Sequence, residues 1–217
     1  PMFIASMKQN CKDVSNENLK FIKTIGATGS PLSVEAFKWL QKKLPSTQII
    51  SLSGGTDVCS AFIGGCPKLP VYAGFLQCNM LGASIKARDE NRKSIKGKTG
   101  ELVITEPLPS MPVFFWGDEN FKKYNDSYFA EDQEVWTHGD WIFIDELRGV
   151  LMQGRSDATL NRNGIRIGTS EIYSVLDGIK EIKDSLIIDL NIDGSSKLIL
   201  FVETDNELNK DFKSNII

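Results

Sequence analysis

Three arginines, an aspartate and three glycines crowd the stretch from Gly154 to Tyr173, GRSDATLNRNGIRIGTSEIY, which follows an apolar run. Arg155 and Asp157 form an Arg-x-Asp pair, Arg166 lies between Gly164 and Gly168, and Thr169 or Ser170 with Glu171 then opens a helix. A guanidinium presents a planar fork of donors that matches phosphate, and glycine lets the backbone approach a ligand closely. Such spacing suits an anion site. It equally suits a surface loop laced with weak salt bridges, and on spacing alone both readings stand.

Three earlier groups bear on the choice. Gly26-Ala27-Thr28-Gly29-Ser30-Pro31 interrupts an apolar segment, but it lacks the Gly-Lys-Ser/Thr ending of a phosphate loop and the G-x-G-x-x-G of a dinucleotide fold, so turn chemistry suffices for it. Ser53-Gly54-Gly55-Thr56-Asp57 follows the apolar Gln48 to Leu52. A hydroxyl and a carboxylate there would lie where an open α/β sheet holds ligands, at the carboxyl end of a strand; a capping Thr or Asp at an ordinary strand end is the plainer reading. His138, the single histidine, stands beside Gly139-Asp140, where a structural role is favoured over that of a base.

The elements that must position these residues follow from periodicity. Leu19 to Thr28 reads as a buried strand with Phe21, Ile22 and Ile25 inward. Ser33 caps a helix running to Leu44, with Val34, Phe37, Leu40 and Leu44 on one face, and Pro45 stops it. Gln48 to Leu52 is a second strand, so two strand-turn units in succession argue for a parallel sheet. From Val71 to Pro107 the pattern changes to short β-rich runs between turns, a small antiparallel sheet or barrel in which SIKGKTGE is a hairpin loop. A Pro-rich crossing leads to a short charged helix in ENFKKYNDSYF and a loop from Phe129. Trp136 to Trp141 then turns into the strand WIFID, which a hairpin through ELRG joins to VLMQG. A helix from Ser170 to Ile179 and a hairpin of SLIIDLNI with KLILFVE close the pattern.

Composition narrows the partners. A formal net charge of -3 over 217 residues gives no basic excess for nucleic acid, which favours small-molecule partners. Four cysteines without C-x-x-C spacing and one histidine argue against zinc and for thiols in a reducing compartment. No apolar run reaches membrane-spanning length, and a cytosolic location is expected.

The stretch from Gly154 resembles the core signature of the adenylate-forming superfamily (acyl-CoA synthetases, luciferases, peptide-synthetase adenylation domains). Gly154, Arg155, Asp157, Asn161, Gly164, Arg166, Ile167, Glu171 and Ile172 match its pattern. TIGATGSPLSVEAFKW, SGGTDVCSAF, TGELVITEPLPSMPVFFWGDE and HGDW extend the likeness to one acid–thiol ligase branch across nearly the whole chain. The resemblance implies an α/β fold: the C-terminal part of a large AMP-binding domain, residues 1–154, with a parallel sheet and a small antiparallel β subdomain, then the start of a small α+β domain, residues 155–217.

It implies ATP, Mg²⁺ and, as a substrate, coenzyme A. Gly29, Ser30 and Pro31 would pack on adenine. Gly54 and Gly55 would lie along the nucleotide, with Thr56 on its α-phosphate and Asp57, in place of a commoner Glu, on Mg²⁺. Asp140 would accept from the ribose hydroxyls, and Arg155 would bind ribose. Arg166 would approach the α-phosphate, and Asn163 the CoA chain. Asp157 would be a hinge between two half-reactions. Thr56 and Arg166 are the expected catalytic residues. A Ser/Thr/Gly-rich phosphate loop and a Gly-Lys carrying a catalytic lysine belong to the family pattern but not to this sequence. The expectation is therefore an internal piece that does not complete adenylation by itself. A ligase for another short acid, of acetyl or propionyl type, and a non-catalytic nucleotide-binding fragment are the alternatives.

Overall fold

In a computed structural model the chain is described at residues 1–10, 19–147, 149–156, 160–162, 165–167, 169–176, 179, 181–192 and 195–204. It forms two compact units, Pro1–Ser156 and Asp157–Ile217.

The first unit opens with helix α1 (Met2–Asn10) and strand β1 (Thr24–Ala27). Helix α2 (Val34–Lys43) follows, and then strand β2 (Gln48–Ser51). Ser33 caps α2 by accepting from the Ala36 N–H at 3.2 Å, which satisfies one of the donors left over at a helix start. β1 and β2 pair in parallel from Thr24 opposite Gln48 to Ala27 opposite Ser51, as the two strand-turn units require. Phe37, Leu40 and Leu44 of the expected helix face are buried with Ala27, Leu32 and Ile49. Three expectations fail here. Phe21 and Ile22 are exposed because the strand begins only at Thr24, and Val34, the first residue of α2, is exposed although Ala36 and Phe37 after it are buried.

Strand β3 (Ser53–Gly55) leaves the end of β2 and pairs antiparallel with β4 (Ser60–Gly64), which pairs in turn with β5 (Cys78–Asn79). A five-stranded antiparallel sheet follows from β6 (Ile85–Arg88), β7 (Ser94–Ile95), β8 (Thr99–Ile104), β9 (Trp136–Ile144) and β10 (Val150–Arg155). Its spatial order is β10-β9-β8-β6-β7. This order corrects the SIKGKTGE hairpin: β7 and β8 lie on opposite sides of β6, so the loop crosses from one flank of that strand to the other. The sheet also runs beyond Pro107 and takes in β9 and β10, and the antiparallel part is larger than its local pattern suggests.

Trp136-Thr137-His138-Gly139-Asp140 lies inside β9 rather than in a turn before it. The alternation of buried and half-buried residues along β9 puts Trp136, His138, Asp140 and Ile142 on the inner face. Helix α3 (Lys122–Tyr128) packs over the sheet with no side-chain cap from Phe121; instead the Asp118 carboxylate accepts from the N–H groups of Lys123 and Tyr124 at 3.1 and 2.9 Å. Phe62, Leu102, Trp136, Ile142 and Val150 make the main core.

In the second unit β11 (Leu160–Arg162) pairs antiparallel with β12 (Ile165–Ile167). Helix α4 (Thr169–Leu176) comes next, and then the expected hairpin of β13 (Asp184–Ile192) and β14 (Ser195–Glu203). The Tyr173 hydroxyl accepts from the Ile187 N–H at 3.1 Å and ties helix to hairpin. Among the described residues, no helix is long and apolar enough to cross a membrane.

Candidate functional site

Both parallel strands present polar turns at their carboxyl ends. After β1, Gly29, Ser30 and Pro31 are exposed. After β2 the chain runs through Gly54, at the register shift of the β3–β4 pair, and Gly55 into the turn holding Thr56 and Asp57, both exposed. The Cys59 N–H donates to the Thr56 carbonyl at 3.1 Å and closes that turn.

Strand β9 reaches the same turn through His138. The Trp136 Nε1–H donates to His138 Nδ1 at 3.2 Å, which leaves the ring proton on Nε2, and a hydrogen bond joins the imidazole to the Gly54 backbone. Gly55 is needed because a Cβ there would stand 2.9 Å from His138 Cε1. Burial, and then the nearby Arg155 guanidinium, push the His138 pKa down to about 4. The imidazole is therefore neutral near pH 7, and its approach of 3.7 Å to the Asp140 carboxylate is not an ion pair. His138 is a structural strut between β9 and the Thr56–Asp57 turn, as its place in the sequence favoured.

Asp140 is nearly buried, and its Oδ1 stands 3.6 Å from an Arg155 Nη that is half exposed. Arg155 also donates to the His138 carbonyl at 3.5 Å. Between these residues Gly139 adopts φ 83°, a left-handed conformation that glycine enters at little cost. Glu101 of β8 holds this backbone. Its Oε1 accepts from the Gly139 N–H at 3.1 Å and from the Ser156 hydroxyl at 3.0 Å, while the Ser156 N–H donates to the Gly139 carbonyl at 2.8 Å. Burial drives the Glu101 pKa up to about 7; hydrogen bonds from Ser156 and Gly139 work against the rise, and Glu131 and Asp140 add to it.

The fourth arm comes from α3. The Tyr128 hydroxyl donates to Asp57 Oδ2 at 2.6 Å, and the Tyr128 ring stacks on buried Trp136 with centroids 3.6 Å apart and planes 14° from parallel. Burial and the Asp57 carboxylate raise the Tyr128 pKa, so the hydroxyl stays a donor.

Thr56, Asp57, Asp140 and Arg155 are thus linked within one unit through His138, Gly54 and Trp136. Arg166 lies on β12, in the other unit. Asn163 and Asp157 fall outside the described residues. Tyr128, Glu101 and Ser156 were not anticipated. Tyr128 is 71 residues from Asp57, and Glu101 is 38 and 55 residues from its two partners, so no local pattern marks them.

No protein-family model matches the chain. The acetoacetyl-CoA synthetase of Mus musculus is 41% identical over 199 residues, 90% of this chain and 30% of that protein. The structure of the acetoacetyl-CoA synthetase from Streptomyces lividans matches with a TM-score of 0.86 at 35% identity, over 99% of this chain and 33% of that one. The O-succinylbenzoate coenzyme A synthetase of Bacillus subtilis, solved with ATP and magnesium ion, shares the fold at a TM-score of 0.78 and 15% identity, over 99% of this chain and 42% of that one. The chain belongs to the adenylate-forming superfamily. Within it, the relatives matched across most of the chain are acetoacetyl-CoA synthetases, and the chain spans about a third of their length.

Proposed function

We propose that the chain is the nucleotide-handling part of an acetoacetate–CoA ligase, which converts ATP, acetoacetate and CoA to AMP, diphosphate and acetoacetyl-CoA. The observation that carries this reading is the joining of the Thr56–Asp57 turn to the Asp140–Arg155 pair through one neutral histidine. The 41% identity to a ligase of that name supports the substrate.

A carboxylate resists attack by a thiol because oxide is a poor leaving group. Transfer of AMP solves this: a carboxylate oxygen of the acid bonds to the α-phosphorus of ATP, the bond from that phosphorus to the bridging oxygen breaks, and diphosphate leaves. The thiol sulfur of CoA then bonds to the acyl carbon, gives up its proton, and AMP leaves with the acyl C–O electron pair. The protein's task is to hold two anions in line and to steady the charge that develops.

Asp140, an acceptor that β9 and Arg155 hold in place, takes the ribose hydroxyls with Arg155 beside it. Gly29, Ser30 and Pro31 line the base. The backbone of Gly54 and Gly55 borders the phosphates, Thr56 donates to the α-phosphate, and Arg166 is a second cationic group for that phosphate. Asn163 lies along CoA, and Asp157 is the hinge between the two half-reactions.

Asp57 suits Mg²⁺. Its carboxylate is exposed, one oxygen is held by Tyr128, and Oδ1 takes no hydrogen bond among the described residues. One carboxylate together with substrate phosphates is a common protein share of a magnesium site, and no cluster of three candidate ligands occurs among the described residues. Bound there, the ion would supply charge neutralisation on the phosphates. A cytosolic location, with the product entering lipid synthesis, belongs to the same proposal.

The test is acid-dependent exchange of labelled pyrophosphate into ATP by the chain extended to its natural ends, with acetoacetate, acetate and propionate compared. Exchange with acetoacetate alone is expected. Exchange that favours acetate or propionate would reassign the acid, and none with any acid would leave a nucleotide-binding protein without ligase activity.

A further inference from the structure

Asp57 is the exposed end of a line of contacts that begins in the core. Trp136 is buried, and its indole N–H is committed to His138. The Tyr128 ring lies flat on that indole and meets Phe115 and Tyr124 edge-on. A ring clamped on several sides has little freedom to swing, so the position of its hydroxyl is set by the core rather than by the surface turn it touches. That hydroxyl takes Oδ2 of Asp57 at 2.6 Å.

We infer that Tyr128 is a positioning residue for the divalent cation that accompanies the nucleoside triphosphate: its hydroxyl holds Oδ2 of Asp57 and presents Oδ1 to the ion. The inference rests on the functional reading above and adds to it a residue on another element. An exposed aspartate on a turn otherwise samples several rotamers, and holding one oxygen removes part of the ordering cost that ion binding would meet. Partners that orient a metal-binding carboxylate are typically worth about tenfold or more in metal affinity when removed.

The experiment measures ATP binding by calorimetry on the chain extended to its natural ends, once with Mg²⁺ and once with a chelator. Tyr128→Phe keeps the stacked ring and removes only the hydroxyl. The expected result is a loss of about tenfold in the gain that Mg²⁺ gives to ATP affinity, with affinity in chelator unchanged. In an Asp57→Asn background the same replacement should change nothing, because the oxygen that the hydroxyl orients no longer serves a cation. A full Mg²⁺ gain in Tyr128→Phe overturns the inference. So does an equal weakening with and without Mg²⁺, which would put the hydroxyl's role in the fold or on the nucleotide. If the unaltered protein binds no ATP, the functional reading fails first and takes this inference with it.

Discussion

Around β8 and β9, Val58, Phe62, Leu102, Trp136 and Ile142 are sealed from solvent, and the polar residues beside them are tied to one another across four elements. Around β1 and β2 the arrangement is looser: two paired strands and α2 enclose a smaller cluster, while Phe21 is 82% and Val34 44% exposed. The turn at Gly29–Pro31 extends from this second region as an exposed loop. The Thr56–Asp57 turn sits where the two regions meet in sequence, but its fixed contacts reach it from the first. Geometry in the candidate site is therefore set mainly by the antiparallel sheet, and the parallel pair contributes a platform whose apolar rim is still open.

Core truncations test this contrast most directly. Trp136→Ala removes a buried indole, the stack under Tyr128 and the donor to His138, and should lower unfolding stability by about 3–5 kcal/mol. Leu40→Ala in the smaller cluster should cost about 2–5 kcal/mol, toward the low end because an open rim can relax into the space. Denaturant titration of both variants gives the ranking, and a larger loss at Leu40 would reverse the comparison.

A second prediction concerns pH and the strut and clasp of the antiparallel region. His138 has a folded pKa lowered from 6.5 to about 4, so between those values the unfolded chain binds a proton that the folded chain does not, and stability falls as the medium becomes more acid. Glu101 is raised from 4.5 to about 7, so across that window the folded chain holds the extra proton, and stability falls as the pH rises. The two slopes oppose each other from 4.5 to 6.5. Glu101→Gln keeps an oxygen for Gly139 and Ser156 but cannot ionise, and its stability should climb with pH through that interval more steeply than that of the unaltered chain. Thermal unfolding across the range measures it; an unchanged slope would mean that Glu101 is not held protonated by burial.

The smallest effects belong to the parallel region's edge. Ser33→Ala removes the α2 cap and should cost about 1 kcal/mol. Phe21→Ser should stay within about 0.5 kcal/mol, since the ring is already in solvent. Chemical denaturation of the pair sharpens the contrast: a large cost at Phe21 would mean that the open rim is covered in the working protein.

What local chemistry encodes was legible before any fold was known. The Ser33 cap, the Phe37, Leu40 and Leu44 face, the two parallel strand-turn units and the β13–β14 hairpin depend on neighbours within a few residues, and periodicity and turn residues report them. Thr56 with Asp57 and Arg155 with Asp157 drew notice because glycine, hydroxyl and charge cluster along the chain, while Asp140 was marked only by the resemblance to the adenylate-forming family. Long-range pairing was not legible: that β6 separates β7 from β8, that the HGD segment is strand, and that Phe21 falls outside the core each depend on which distant segments meet. Local sequence determined the elements and most of the candidate groups. Only the tertiary structure decided that His138 is neutral, that Glu101 is pushed to about 7 and that Tyr128 reaches Asp57, because burial and hydrogen bonding between residues far apart in sequence exist only once the sheet has closed.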